Sequence, residues 1–354
     1  MMQLPLELVR HILGFLSGSP EILRVCALSC STWLAASREH LYHDVTIESV
    51  KQLCALECAA TSSPYIRDCL HILRINTGRT NHDQGEYAWD DKWRQDAFKP
   101  LATFTSLTKL VLISCEMTAV QLYHFITVFP SLDDLHIEEF HEVWSQDAMQ
   151  PDLFHLLPTA LCLTRLTLLA ENIPYGFGVN FFSWVLRTKT KETLRDLTLA
   201  FGRLNIYERC GFLNAICPSL EHLELRFLDS LGKISGSYLI GGLNLTGNVR
   251  LKTLTLPDPT SCVVLPLLTQ LSLPEVQRIK FRLGFESLPN GIGKLNHDKL
   301  NQLLSRPDWG NVGEVHMLYP RNFFEKDALM EFEAENASLL NRPVLHVQWD
   351  HSPK

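Results

Sequence analysis

Residues 194–199 read LRDLTL and residues 220–225 read LEHLEL. Both put an aliphatic side chain at the first, fourth and sixth places. The closing Leu-x-Leu alternates at period two, so Leu197 and Leu199, like Leu223 and Leu225, fall on one face of a short strand. One such hexad means little in a leucine-rich chain. Its meaning depends on whether it recurs.

It recurs through most of the chain. Copies begin at Leu70 (LHILRI), Leu107 (LTKLVL), Leu132 (LDDLHI), Leu163 (LTRLTL), Leu194, Leu220, Leu251 (LKTLTL), Val276 (VQRIKF) and Val312 (VGEVHM). Successive starts are 37, 25, 31, 31, 26, 31, 25 and 36 residues apart, a spacing too regular for chance. Helix-like stretches lie between copies, such as MTAVQLYHFITVF after Ile113 and GFLNAIC before Pro218. Phe129-Pro-Ser-Leu132 and Cys217-Pro-Ser-Leu220 close two of them, because proline cannot continue a helix and returns the chain to the next strand. Strand, turn, helix and return, stacked side by side, predict a solenoid with an aliphatic spine and parallel strands on its concave wall.

Over about residues 65–350 this pattern resembles the leucine-rich repeat family. The resemblance implies an α/β horseshoe over 46–350, with about nine to ten irregular repeats, strands on the concave side and helices outside. The asparagine of the L-x-x-N turn is largely absent, and Cys115 stands at one equivalent position. The stretch PVLHVQWD (343–350), with Val344 and Trp349, reads as a closing strand, and 351–354 as a tail.

Ahead of the repeats, LPLELVRHILGFL (4–16) raises the question of a targeting segment. Glu7, Arg10 and His11 interrupt its apolar core and no basic residue precedes it, unlike a signal peptide. Leu8, Ile12, Phe15 and Leu16 make an amphipathic stripe, with Pro5 suited to a first helical position and Glu7 to the positive helix end. Ser19-Pro20-Glu21 opens a second helix, whose Ile22, Leu23, Val25 and Leu28 lead on to Trp33. Leu4, Leu6, Leu8, Val9, Ile12, Leu13, Phe15 and Leu16 exceed what one narrow intramolecular stripe needs, and an apolar surplus marks a partner surface. LYHDVTIESV (41–50), with Val45 and Ile47 alternating, reads as the next strand.

The order of these residues over 2–45 resembles the F-box motif, carried by Leu4, Pro5, Glu7, Leu8, Ile12, Leu13, Leu16, Leu23, Val25, Leu28 and Trp33. The resemblance implies a three-helix domain over 1–45 that docks on a Skp-type adaptor and, through it, reaches cullin and RING subunits. The motif's usual basic residue before the tryptophan is missing, since Cys30, Ser31 and Thr32 fill that stretch. Without the resemblance, the same helices would be a polar-faced cap on the solenoid.

Composition narrows the function classes. The chain carries 32 Lys and Arg against 39 Asp and Glu, a net charge of −7, which leaves no basic footprint for nucleic acid or anionic membrane. No run of 18 apolar residues supports a membrane span. Cys26/Cys30 and Cys54/Cys58 share a C-x3-C spacing, but neither the two-residue spacing of zinc knuckles nor a paired histidine accompanies them. The ten cysteines therefore read as reduced thiols of a cytoplasmic or nuclear protein, with no metal and no cofactor. On that reading the sequons at Asn244 and Asn336 are chance matches.

No nucleophile elbow, zinc-protease helix or phosphate loop is present; Asn290-Gly-Ile-Gly-Lys-Leu295 lacks the hydroxyl residue. A non-catalytic substrate-recognition subunit of a Skp–cullin–F-box ubiquitin ligase is the expectation. A repeat scaffold uncoupled from any cullin is its alternative. Two candidate substrate surfaces stand out. Arg278, Lys280 and Arg282 alternate on one strand face and suit an acidic or phosphorylated peptide, unless Glu224 and Glu314 neutralise them. Tyr87, Trp89 and Trp93 lie in the Asp-rich stretch 78–98, either as loop anchors or packed as a small helix. NIPYGFGVNFFSW (172–184) is apolar enough to be core.

Overall fold

The computed structural model describes residues 4–78, 99–142, 160–169, 175–201, 206–227, 241–245, 247–257, 264–270, 275–282, 302, 309, 311–319 and 345–349. They form a mixed α/β fold in two compact units, Met1–Leu163 and Thr164–Lys354.

The first unit opens with three helices, α1 (Leu6–Phe15), α2 (Pro20–Ala27) and α3 (Ser31–His43). Pro20 is the first residue of α2 after Ser19, as the sequence suggests, whereas Pro5 sits one residue ahead of α1 with extended backbone (φ −53°, ψ 142°). Proline serves there equally well, because its fixed φ and missing N–H cost nothing where no helical donor is used. Val9, Leu13, Leu23 and Ala36 form a small core, with Leu6, Leu16, Cys26, Trp33 and Leu41 packed around it. α3 is the central element and runs directly into strand β1 (Asp44–Ile47).

Helices α4 (Val50–Ser62) and α5 (Pro64–Cys69) return the chain to β2 (Ile72–Asn76), which pairs with β1 in parallel. β3 (Lys109–Ile113) and β5 (Asp134–Glu138) extend the sheet, also in parallel. Between them lie β4 (Glu116–Met117) and helix α6 (Ala119–Thr127), and β6 (His141–Glu142) follows β5 and pairs with β4. The register aligns Leu73, Leu110 and Leu135, and likewise Ile75, Leu112 and Ile137. All six are buried, so the aliphatic places of the sequence hexad form the inner face of the sheet. α6 starts on a reciprocal cap: Thr118 accepts from the Gln121 N–H while Gln121 accepts from the Thr118 N–H.

Where the hexad's strand ends, Ser114 and Glu139 take left-handed backbone (φ 52° and 50°), which turns the chain off the sheet. Cys115, next to that turn, is fully buried and its Sγ lies 3.6 Å from the Ile75 carbonyl and 3.5 Å from that of Ile113. Burial pushes this thiol up to about 12, so it stays a protonated donor to these carbonyls. A cysteine thus closes the turn at the place where the L-x-x-N pattern would put an asparagine.

In the second unit the parallel strands are β7 (Arg165–Leu168), β8 (Asp196–Phe201), β9 (His222–Phe227), β10 (Thr253–Pro257), β11 (Arg278–Arg282), β12 (Glu314–Tyr319) and β13 (Leu345–Trp349), each paired with the next. The expected closing strand is thus in place as β13. Helices α7 (Tyr175–Arg187), α8 (Thr190–Thr193), α9 (Ile206–Ile216) and α10 (Val264–Gln270) occupy the connections. Leu197, Leu223, Leu254, Ile279 and Val315 stand in one register row and are buried. Phe181, Phe182 and Trp184, in the stretch 172–184, are buried, and so is Val185 after it. Strands following one another in chain order, with helices between, are compatible with a solenoid. No helix among the described residues is long and apolar enough to cross a membrane.

Candidate functional site

Two surfaces carry chemistry: the outer side of the helical unit and the polar face of the second unit's sheet. In α1, at about 100° per residue, Leu6, Val9 and Leu13 share an arc of about 60°. That arc faces the core. Leu8, Ile12 and Phe15 share a second arc of about 60°, turned roughly 120° from the first. These three are exposed, Phe15 at 79%. In α2 only Leu23 is fully buried, while Ile22 and Val25 three residues apart, and Leu28 just past the helix at 87%, are open to solvent.

The expected adaptor-contact residues therefore divide. Leu13 and Leu23 are core, and Leu16 and Trp33 pack against it. Leu4, Pro5, Glu7, Leu8, Ile12, Val25 and Leu28 are exposed. Phe15 and Ile22 join the exposed set although the family motif did not single them out; their helical positions and apolar excess were the available signal.

One carboxylate ties α1 and α3 of the helical unit to α5. Glu39 of α3 accepts from Arg10 Nε of α1 at 2.8 Å and from the Tyr65 hydroxyl of α5 at 2.8 Å. The Arg10 hydrogen bond holds the Glu39 carboxyl below the ordinary carboxylate range. Burial and the bond to Glu39 push the Tyr65 phenol up, so it stays a donor.

On the sheet of the second unit, residues between the buried aliphatics face the other way. Arg278 lies beside Glu314 in register and donates to it, and His316 Nε2 lies 3.0 Å from the same carboxylate. These hydrogen bonds, the arginine's first, drive Glu314 down to about 2. Glu224 is shared by Arg226 at 2.7 Å and Arg282 at 3.1 Å, the latter reaching across the intervening β10. Burial lowers the Arg282 guanidinium against the pull of Glu224. Lys280 makes no ion pair among the described residues. The predicted row of three cations thus resolves into two arginines neutralised by Glu314 and Glu224, and one lysine that shares its depression with Asp196 and Glu224.

Around Lys280 the face sinks into a depression of about 240 Å³ lined by Thr198, His222, Glu224, Thr255 and Arg278 among others. A neighbouring one of about 500 Å³ shares His222, Thr253 and Arg278. The first unit's sheet face is likewise ion-paired, with Arg74 bidentate on Asp44 and Lys109 2.8 Å from Asp134. Tyr87, Trp89 and Trp93 lie outside the described residues. Among those described, no group of His, Cys, Asp and Glu is arranged to hold a metal ion.

No family model matches the chain, and no curated protein matches it either.

Proposed function

We propose that this chain is the substrate-recognition subunit of a Skp–cullin–F-box ubiquitin ligase, with an F-box over 1–45 and leucine-rich repeats over 46–350. The observation that carries the reading is the double-sided α1. One arc closes the core, and the other leaves Leu8, Ile12 and Phe15 in water; α2 in turn exposes Ile22 and Val25. Monomeric proteins seldom leave a whole apolar helix arc uncovered. The F-box resemblance names what covers it, a Skp-type adaptor. The repeat sheet then holds a substrate protein near a conjugating enzyme recruited by the cullin and RING subunits, and transfer is driven by proximity. The chain itself performs no bond chemistry.

The test is co-purification with a Skp-type adaptor. Wild-type protein binds at micromolar concentration or better. Replacing Leu4 and Pro5 with Ala together with Ile12→Asp abolishes binding while the circular dichroism spectrum stays unchanged. Failure of the wild-type chain to bind adaptor rejects the ligase reading and leaves the uncoupled scaffold.

A further inference from the structure

Two imidazoles meet where the N-terminal helices join the sheet. His43 is the last residue of α3, and His71 stands just ahead of β2. Their ring centroids are 5.0 Å apart and the ring planes are tilted by 34°. The His71 N–H donates to the His43 carbonyl at 3.1 Å, and the His71 carbonyl accepts from the N–H groups of Thr108 and Lys109, each at 3.0 Å. The end of α3 is thus hydrogen-bonded into the row that opens β2 and β3. His71 is half-buried, while His43 keeps contact with solvent.

Neutral rings stack here without electrostatic cost, and a single proton on the pair has no like charge to oppose it. Two imidazolium rings at this separation lie inside the screening length of about 8 Å and repel each other. Partial burial first, and then His71, hold the His43 imidazolium below its ordinary value; Asp44 pulls the other way and His40 adds to the lowering. Asp44 is already engaged, since Arg74 holds it through two hydrogen bonds of 2.9 Å. Among the other charges on the elements that meet here, Glu39 of α3 is held by Arg10 of α1, and Lys109 of β3 by Asp134 of β5. α5 brings exposed Asp68 and Arg67, whose Nε donates to the Ala60 carbonyl.

We infer that His43 and His71 form a proton-operated joint: the stacked pair keeps the end of α3 closed on the head of β2, and double protonation opens it. The inference concerns the chain alone and does not rest on adaptor docking. The closed form binds fewer protons than the open one. The joint is therefore firm above the ordinary histidine value of about 6.5 and is lost as pH falls through the lower value of folded His43. Burial also lowers His124 of α6, so acid weakens the fold there as well and only a local readout is specific to the joint.

Nuclear magnetic resonance on the full chain, with labelled histidine and backbone amides, supplies that readout. Protection of the His71 amide, corrected for intrinsic exchange, falls at least about fivefold from pH 7.5 to 5.5 in wild type. The fall is concentrated in residues 40–47 and 70–76. His43→Gln and His71→Gln each reduce it to less than about twofold, whereas His124→Gln leaves it intact. In His71→Gln the His43 ring titrates closer to the ordinary histidine range than in wild type. A His71 amide whose protection does not change with pH overturns the inference, as does a fall of equal size in β5. So does an undiminished fall in His43→Gln, or a His43 titration that His71→Gln leaves unmoved. The wild-type measurements decide the matter even where a variant fails to fold.

Discussion

The helical unit and the second unit's sheet solve opposite surface problems. In α1 and α2 the apolar residues outnumber the places inside, and the remainder face water: Leu8, Ile12, Phe15, Ile22, Val25 and Leu28. On the sheet the apolar residues are used up in the spine, and the outward positions are charges matched by neighbours, Arg278 with Glu314 and Arg282 with Glu224. A surface that leaves hydrophobes uncovered gains free energy from any partner of complementary shape. A surface whose charges are satisfied internally gains little from a partner, except at the group left over. Under the proposed function, adaptor affinity therefore rests on the helices and the sheet contributes selectivity.

Substitutions can break this contrast. The largest effect is expected inside the helical unit. Leu13→Ala removes a fully buried side chain and lowers stability by about 2–5 kcal/mol. Phe15→Ala, two residues away but mostly in solvent, changes stability by less than about 0.5 kcal/mol while weakening adaptor binding. Urea melts alongside pull-downs separate the two; equal destabilisation would mean that Phe15 packs inward.

On the sheet, Glu224→Gln is next in size. It leaves half-buried Arg282 facing Arg226 without their shared carboxylate, and a loss of about 1–3 kcal/mol is expected in urea melts. An unchanged midpoint would show the ion pairs to be ornamental.

The smallest effect is pH-dependent. The folded state holds Glu39 below its ordinary value, so its contribution is fully present above about 4.5 and is lost as pH falls through the lower folded value. The pair with Arg10 is partly exposed, so the total is on the order of 1 kcal/mol or less. Glu39→Gln should therefore melt below wild type at pH 7, with the gap closing as pH falls toward 3. A gap that widened on acidification would refute this account.

How much of this was legible beforehand depends on the distances involved. The hexad declares its own strand, because Leu197 and Leu199 are two residues apart and need no tertiary information; β8 duly spans them. The Glu224 and Glu314 neutralisers could be foreseen once strands were stacked in order. Arg226 competing for Glu224, or Tyr65 reaching Glu39, could not, since each depends on rotamers of side chains meeting across elements. In α1 the periodicity gave the stripe Leu8, Ile12, Phe15 and Leu16 and an apolar surplus, whereas the core uses Val9 and Leu13 and leaves Leu8, Ile12 and Phe15 exposed. That choice depends on partners distant in sequence, Leu23 of α2 and Ala36 of α3, which share the core with Val9 and Leu13. The Cys115 thiol bonded to the Ile75 and Ile113 carbonyls was equally hidden, because a cysteine at that place reads simply as a small hydrophobe.

The reach of Arg282 over β10 to Glu224 has a further consequence. Repeat arrays ordinarily grow and shrink by whole units, since each unit touches only its neighbours. Here a guanidinium and its carboxylate are anchored two strands apart. Splicing one more unit between β9 and β11 would draw them apart by about 4.8 Å, one strand spacing, and break that pair. The ion pair therefore couples β9 to β11 across β10, and a graft or deletion that respects repeat boundaries should still keep those three strands together.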